Sequence, residues 1–166
     1  DTWEINAGTE VTVEELLERY ERNKEFYRKG GITATGGEPL LQPGIEVFLR
    51  QIKELGYPVK LDTNGCFPER LAALLTEGLV DYVAMDIKNC LEKYPATCGV
   101  PGLDTVPVQE SVRLLLSGGV EFEFRTTVVR ELHSANDLLS IGHWLDGAPR
   151  YYLQNFVDSG NLIGRG

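Results

Sequence analysis

The chain has 166 residues, of which 42% are hydrophobic and 25% charged, and its formal net charge is −9. This composition is typical of one folded domain and argues against intrinsic disorder, while the negative charge would repel a nucleic-acid backbone. No run reaches the roughly 18 apolar residues that a membrane span needs. We therefore predict a single cytoplasmic domain over residues 1–166, with neither nucleic acid nor membrane as a partner.

Helical and extended patterns alternate through the first half of the chain. Thr12 followed by Glu15 is a capping-box sequence that predicts the start of the first helix, and Gly56 predicts the end of the second. In chain order, the predicted elements are a helix over 12–29, a strand over 32–35, a helix over 43–55, a strand over 59–63 and a helix over 68–78. Strands separated by helices favour parallel pairing, because a crossover of this length returns the chain to the same edge.

The second half continues this alternation. The segment 80–87 is almost continuously apolar, which predicts a strand that is covered on both faces. Beyond a loop over 89–106, the predicted elements are a helix over 107–118, a strand over 120–129, a helix over 134–147 and a strand over 151–156. Ser134 and Asp137 are placed to cap the last helix. The whole pattern predicts right-handed crossovers and a parallel sheet curled into a barrel or part of one.

The strand over 120–129 indicates which kind of barrel this is. Its apolar residues alternate with Glu121, Glu123, Arg125 and Thr127, so that one face is apolar and the other polar. A closed eight-stranded barrel fills its lumen with branched apolar side chains. The sequence therefore predicts an α/β fold with an open, partial barrel whose polar inner face holds a ligand.

Polar residues follow the ends of the predicted strands. Because ligands of parallel α/β folds bind at these carboxyl ends, we expect the residues to meet at one rim. Adjacent glycines before a proline expose backbone groups that suit an ammonium group, and an acid and a base two residues apart can grip a hydroxyl and a carboxylate. The candidate site residues are Gly36, Gly37, Glu38, Asp62, Thr63, Asp86, Lys88, Arg125 and Gln154.

Each of these features also has an explanation without a ligand. The segment 36–39 could be a tight turn and 62–65 a capping loop. Asp86 and Lys88 could form a surface ion pair, and Arg125 could pair with Glu121 or Glu123. Four strand ends with polar groups on one shared rim are harder to explain in this way than any one of them, so we favour a ligand site.

The segment Thr35-Gly36-Gly37-Glu38-Pro39, at the end of a predicted strand, resembles the GGEP motif of the radical S-adenosylmethionine (SAM) superfamily. Residues 1–42 are similar to pyruvate formate-lyase activating enzymes. Segments within residues 36–163 resemble the activating protein of anaerobic ribonucleoside-triphosphate reductase. These segments are Leu61-Asp62-Thr63-Asn64-Gly65, the run 80–88, the run 123–129 and Tyr151-Tyr152-Leu153-Gln154. Both relatives act on glycyl-radical enzymes.

The resemblance implies a role for each candidate residue. Gly36, Gly37 and Glu38 would receive the amino group of SAM, Lys88 its carboxylate and Asp86 its ribose. Asp62 and Thr63 would lie beside the methionyl end, and Arg125 and Gln154 would line the rest of the pocket. Acids at matching positions of pyruvate formate-lyase activases hold a monovalent cation, so Asp62 and Asp86 are also candidates for one.

The resemblance further implies a radical SAM oxidoreductase with SAM and a [4Fe-4S] cluster, a glycyl-radical enzyme as partner, and flavodoxin or ferredoxin as electron donor. The family's CxxxCxxC cluster loop and first strand are missing from the sequence, and Cys66, Cys90 and Cys98 have the wrong spacing to replace the loop. We therefore expect the cluster only in a full-length parent and assign neither catalytic residues nor metal ligands, which predicts an inactive fragment. A radical SAM enzyme with a small-molecule or peptide substrate, and a non-catalytic SAM-binding or partner-docking remnant, are the alternatives.

Overall fold

The computed structural model describes residues 31–35 and 37–156, together with Thr12, Glu15, Glu18 and Arg22. Within these residues, five parallel strands form one sheet whose spatial order follows the chain order. The strands are β1 (Ile32–Ala34), β2 (Val59–Thr63), β3 (Tyr82–Asp86), β4 (Glu121–Val128) and β5 (Tyr151–Asn155). The described sheet is unclosed, with β1 and β5 as its edges, which confirms the predicted α/β class and parallel topology.

Helices connect the strands. They are α1 (Ile45–Glu54), α2 (Pro68–Thr76), α3 (Tyr94–Thr97), α4 (Val106–Leu116) and α5 (Ala135–Trp144), and a 3-10 turn covers Pro39–Leu41. The prediction started α1 two residues too early, because Pro43 and Gly44 form a turn in which Gly44 is left-handed at φ 75°. It also took α3 as loop, since a helix of 4 residues is too short to show an amphipathic period. None of the described helices is long and apolar enough to cross a bilayer.

The predicted capping box of the first helix is confirmed where the structure describes it. The Thr12 amide donates to Glu15 Oε2 at 2.9 Å, and the Glu15 amide donates to Thr12 Oγ1 at 3.2 Å. Glu15, Glu18 and Arg22 are helical. The remainder of the predicted helix over 12–29 lies outside the described residues.

The core lies between the helices and the outer face of the sheet. Leu61, Val83, Met85 and Phe124 are fully buried there, as are Leu49 of α1, Leu71 of α2 and Leu115 of α4. Each side chain of this size contributes about 1.5–3 kcal/mol through burial. Ala84, on the opposite face of β3, is also fully buried, which confirms that the middle of this strand is covered on both sides.

The inner face of the sheet is polar, as the alternation in β4 predicts. Phe122, Phe124 and Thr126 are buried on the outer face, whereas Glu121, Arg125 and Thr127 project from the other. The parallel register pairs Asp86 with Arg125 across β3 and β4. Because paired residues of a parallel sheet point to the same side, the register brings side chains from neighbouring strands together above the inner face.

Candidate ligand site at the carboxyl ends of the strands

A cavity of about 270 Å³ opens where β2, β3 and β4 end. It is lined by Thr35, Gly37, Asp62, Thr63, Asn64, Asp86, Lys88 and Arg125. Six of the nine residues predicted for the site are therefore lining residues. Of the others, Glu38 is buried directly beside it, Gln154 is exposed on β5, and Gly36 lies outside the described residues. The polar strand ends thus meet at one rim.

Glu38 holds two of the rim loops together. Its side chain is 7% exposed, and its Oε1 accepts hydrogen bonds from the Thr63 hydroxyl at 2.8 Å and the Leu40 amide at 3.1 Å. Its Oε2 accepts from the Asn64 amide at 2.7 Å. Three donors of the chain therefore occupy this carboxylate, and it fixes the loop after β1 against the loop after β2. This structural role of Glu38 was not predicted from the sequence.

Gly37 lines the cavity with backbone atoms alone, because it has no side chain. Its φ of 62° is left-handed, and a Cβ built on it would meet no atom within 4 Å. A side chain is disfavoured by the backbone conformation there, not by a neighbour. The glycine therefore gives a ligand close access to backbone groups in the loop before Glu38.

Arg125 joins two of the predicted acids. Its Nη1 lies 3.3 Å from Asp62 Oδ2, and its Nη2 lies 3.0 Å from Asp86 Oδ1. Burial alone would lower the pKa of Arg125, but the Asp86 and Asp62 carboxylates outweigh it and raise the pKa. The expected alternative in which Arg125 pairs with Glu121 or Glu123 is wrong, because the register sets it opposite Asp86 instead.

Lys88 and Asp86 do form the ion pair that their spacing allows, with Nζ 3.0 Å from Oδ2. Both side chains remain partly exposed at the cavity, at 45% and 36%. An ammonium group has three donors, so this bond leaves Lys88 able to bind an anion. Lys88 can therefore pair with Asp86 and bind an anionic ligand group at the same time.

Asp62 carries an oxygen that the protein leaves unsatisfied. Its Oδ1 is buried and accepts no hydrogen bond, although the Lys60 ammonium lies 3.5 Å away. Buried acceptors of this kind are rare because they forgo the hydrogen bonds that water would supply. The Lys60 ammonium compensates the charge on this side of the carboxylate, and Arg125 compensates it on the Oδ2 side.

Below the cavity, the inner face carries a polar network that the sequence analysis missed. The Tyr82 hydroxyl donates to Glu123 Oε2 at 2.7 Å, while Lys60 lies 3.7 Å from Glu123 Oε1. Arg150 Nη1 donates to the Tyr82 hydroxyl at 3.2 Å. Burial, followed by the hydrogen bond to Glu123, raises the pKa of Tyr82. To predict this network, one needs the alternation of polar and apolar residues in β2, β3 and β4. One also needs the register that places their polar residues side by side.

The three cysteines do not fit an iron-sulfur cluster. Cys90 is buried, Cys66 and Cys98 are half-buried, and burial is the main cause that raises the pKa of each thiol. Cluster ligands are thiolates that converge on one point. Among the described residues, no group of three or more His, Cys, Asp or Glu side chains could hold a metal ion. The three cysteines are therefore not assigned to a cluster.

The sequence is similar to proteins that are described as activating enzymes. A protein of Methanocaldococcus jannaschii described as a glycyl-radical enzyme activating enzyme is 33% identical over 150 residues, which cover 88% of this chain and 61% of that protein. The pyruvate formate-lyase 1-activating enzyme of Escherichia coli is 39% identical over 94 residues, covering 54% of this chain and 38% of that enzyme. The chain thus spans less than two thirds of the length of either relative.

Solved structures show the same fold. A domain of the pyruvate-formate lyase-activating enzyme from Bacteroides vulgatus superposes with a TM-score of 0.61 at 20% identity, over 74% of this chain and 76% of that one. Streptococcus suis SuiB bound to S-adenosylmethionine superposes with a TM-score of 0.69 at 12% identity, over 93% of this chain and 36% of that one. The sequence profile of the Radical SAM superfamily matches residues 1–147. The chain therefore belongs to the radical SAM superfamily.

Proposed function

We propose that the full-length protein binds SAM at the rim cavity and activates an anaerobic glycyl-radical enzyme by generating a radical on one of its glycines. The observation that carries this proposal is the convergence of Gly37, Asp62, Asp86 and Lys88 on one cavity. These residues offer backbone groups, two carboxylates and a partly exposed ammonium within one small volume. That set complements the ammonium and carboxylate of an amino-acid moiety.

The contacts of Glu38 refine the roles implied by the resemblance. Since its carboxylate already accepts three bonds from the chain, we assign it to holding the loops. The ligand ammonium is assigned to backbone groups at Gly37 and to the Asp62 carboxylate, because both residues line the cavity. Lys88 is assigned to the carboxylate and Asp86 to a ribose hydroxyl, two groups that an acid and a base bind well.

The cavity size supports a division of the ligand between two regions. Pockets that enclose a small ligand usually measure about 300–1,000 Å³. At about 270 Å³, the cavity accommodates the methionyl end of SAM, with the nucleoside extending over the open inner face. That direction leads from Arg125 on β4 towards Gln154 on β5. Gln154 is paired with Thr127 and therefore shares the inner face with Arg125, which supports its assignment to the nucleoside end.

The partners in this proposal are a glycyl-radical enzyme and an electron donor of the flavodoxin or ferredoxin type. The [4Fe-4S] cluster of the family would receive the electron, and none of the cysteines in this chain is assigned to it. The residues of the chain contribute by binding and orienting SAM. The similarity to two activating enzymes supports the class of partner.

Electron paramagnetic resonance tests this function directly. The full-length protein, incubated anaerobically with SAM, a reductant and candidate glycyl-radical enzymes, is expected to produce a glycyl-radical signal on one of them. The signal should disappear when SAM is omitted and should fall strongly in a Lys88→Ala variant. Consumption of SAM without a glycyl signal on any candidate would contradict the proposed partner and would favour a small-molecule or peptide substrate.

A further inference from the structure

Lys88 lies two residues beyond β3 and is the first residue there without a backbone hydrogen bond to a neighbouring strand. The Ile87 amide still donates to the Arg125 carbonyl at 2.8 Å, and the Thr126 hydroxyl donates to the Ile87 carbonyl at 2.8 Å. Beyond this point the chain leaves the sheet. The Lys88 ammonium is paired with Asp86 Oδ2, and the backbone that carries it depends on what holds the loop that follows.

The loop after β4 holds it. His133 Nε2 lies 2.9 Å from the Lys88 carbonyl oxygen, and Asn89 Nδ2 donates to the Leu132 carbonyl at 3.0 Å. Two reciprocal bonds thus join consecutive residues of the loop after β3 to consecutive residues of the loop after β4. We call this set of four residues, Lys88, Asn89, Leu132 and His133, the rim clasp.

One tautomer of His133 fits the Lys88 carbonyl and the Val129 amide, while the Val129 carbonyl, also 3.2 Å from Nδ1, accepts from backbone amides instead. A carbonyl oxygen only accepts, so Nε2 must carry the hydrogen that is donated to Lys88. Nδ1 is then free to accept from the Val129 amide, which lies 3.2 Å away. Val129 is also the start of the turn that carries His133, because its carbonyl accepts from the Leu132 and His133 amides. The imidazole is therefore fixed at both nitrogens.

The two halves of the rim clasp differ in burial. Asn89 is fully buried and also donates to the Thr97 hydroxyl at 2.9 Å, so its replacement would leave buried polar groups without partners. His133 is only half-buried and donates to nothing in the core. Its removal should leave the fold intact, because the Lys88 carbonyl and the Val129 amide that it frees both belong to residues outside the buried core. His133 is therefore the member whose effect on the rim can be measured separately.

We propose that His133 is a positioning residue, which acts through the Lys88 backbone to place the Lys88 ammonium for the carboxylate of the ligand. The proposal rests on the function assigned to the rim above. It predicts a specific pattern of ligand discrimination. Loss of His133 should weaken ligands that carry the carboxylate and should spare ligands that lack it.

Calorimetry with two ligands tests the proposal on the full-length protein. SAM carries the amino-acid end, whereas 5′-methylthioadenosine has the same nucleoside and sulfur without it. His133→Ala is expected to bind SAM about threefold to tenfold more weakly, the effect of one hydrogen bond, and to bind 5′-methylthioadenosine as the wild type does. His133→Gln keeps an N–H donor and should recover most of the loss. The matched control is His143→Ala, because His143 is the other histidine and is exposed on α5.

Hydrogen exchange gives a readout that needs no ligand. In His133→Ala, amides in the segment 87–91 should exchange faster than in the wild type, whereas His143→Ala should leave them unchanged. Equal weakening of both ligands would indicate a general structural loss and would overturn the positioning role. Unchanged SAM affinity in His133→Ala, with the wild type binding SAM, would overturn this inference alone. Failure of the wild type to bind either ligand would overturn the proposed function as well.

Discussion

Replacing Glu38 by Ala is expected to destabilise the chain by about 3 kcal/mol. The substitution removes the acceptor of the Leu40 and Asn64 amides and of the Thr63 hydroxyl, and each buried donor that loses its partner costs about 1–3 kcal/mol. Denaturant unfolding followed by circular dichroism measures the change. The stability of Glu38→Gln should lie between those of the wild type and Glu38→Ala. The glutamine amide keeps one acceptor oxygen but places an NH₂ donor where the second carboxylate oxygen was.

The control for Glu38 is Glu54→Ala. Glu54 is exposed at the end of α1, and surface substitutions of this kind usually change the free energy of unfolding by less than about 0.5 kcal/mol. If Glu38→Ala unfolds at the same denaturant concentration as Glu54→Ala, the carboxylate does not hold the two loops together. The refinement that assigns the ligand ammonium away from Glu38 would then lose its basis.

Replacing Arg125 by Met should have the second largest effect, a destabilisation of about 2 kcal/mol. The variant leaves Asp62 and Asp86 without the guanidinium that bridges them. Breaking a fully buried pair costs about 3–5 kcal/mol, and the smaller figure reflects a site that is open to water. Arg125 itself is 17% exposed, but Asp86 is 36% exposed and partly solvated when its partner is gone.

A double-mutant cycle separates this effect from lost packing. Asp86→Asn removes one of the two charges that lose their guanidinium partner in Arg125→Met, so the double variant should lose less stability than the sum of the two single variants. Chemical unfolding of all four proteins gives the coupling energy. Additive losses would show that Arg125 contributes through packing alone and that the bridge is energetically unimportant.

Local patterns were sufficient to predict the strands and most helices. β4 alternates charged and apolar residues from Glu121 to Arg125, so its two faces could be inferred without any tertiary information. The 4-residue helix α3 could not, because it is fixed by tertiary contacts such as the burial of Tyr94, which is 2% exposed. Its pattern is shorter than one amphipathic repeat.

The site was predictable in position but not in its internal contacts. Strand ends of a parallel sheet share one edge, so the convergence of Asp62, Asp86 and Lys88 follows from topology. The bridge by Arg125 depends on the register of three strands, which the sequence does not reveal. The inward orientation of Glu38 and the bond from His133 to a backbone carbonyl depend on loop conformations, which side-chain patterns do not encode.

Calorimetric titration of SAM into the full-length protein tests the assignment of the rim cavity to SAM most directly. Lys88→Ala should weaken binding about tenfold, because it removes a charge-assisted bond to the carboxylate. Gly37→Val should weaken it as well, since a β-branched residue disfavours the φ of 62° that keeps the backbone open to the ligand. Lys53→Ala, which alters a lysine paired with Asp81 outside the cavity, is the control. Wild-type affinity in both rim variants, with their folds intact, would contradict the account.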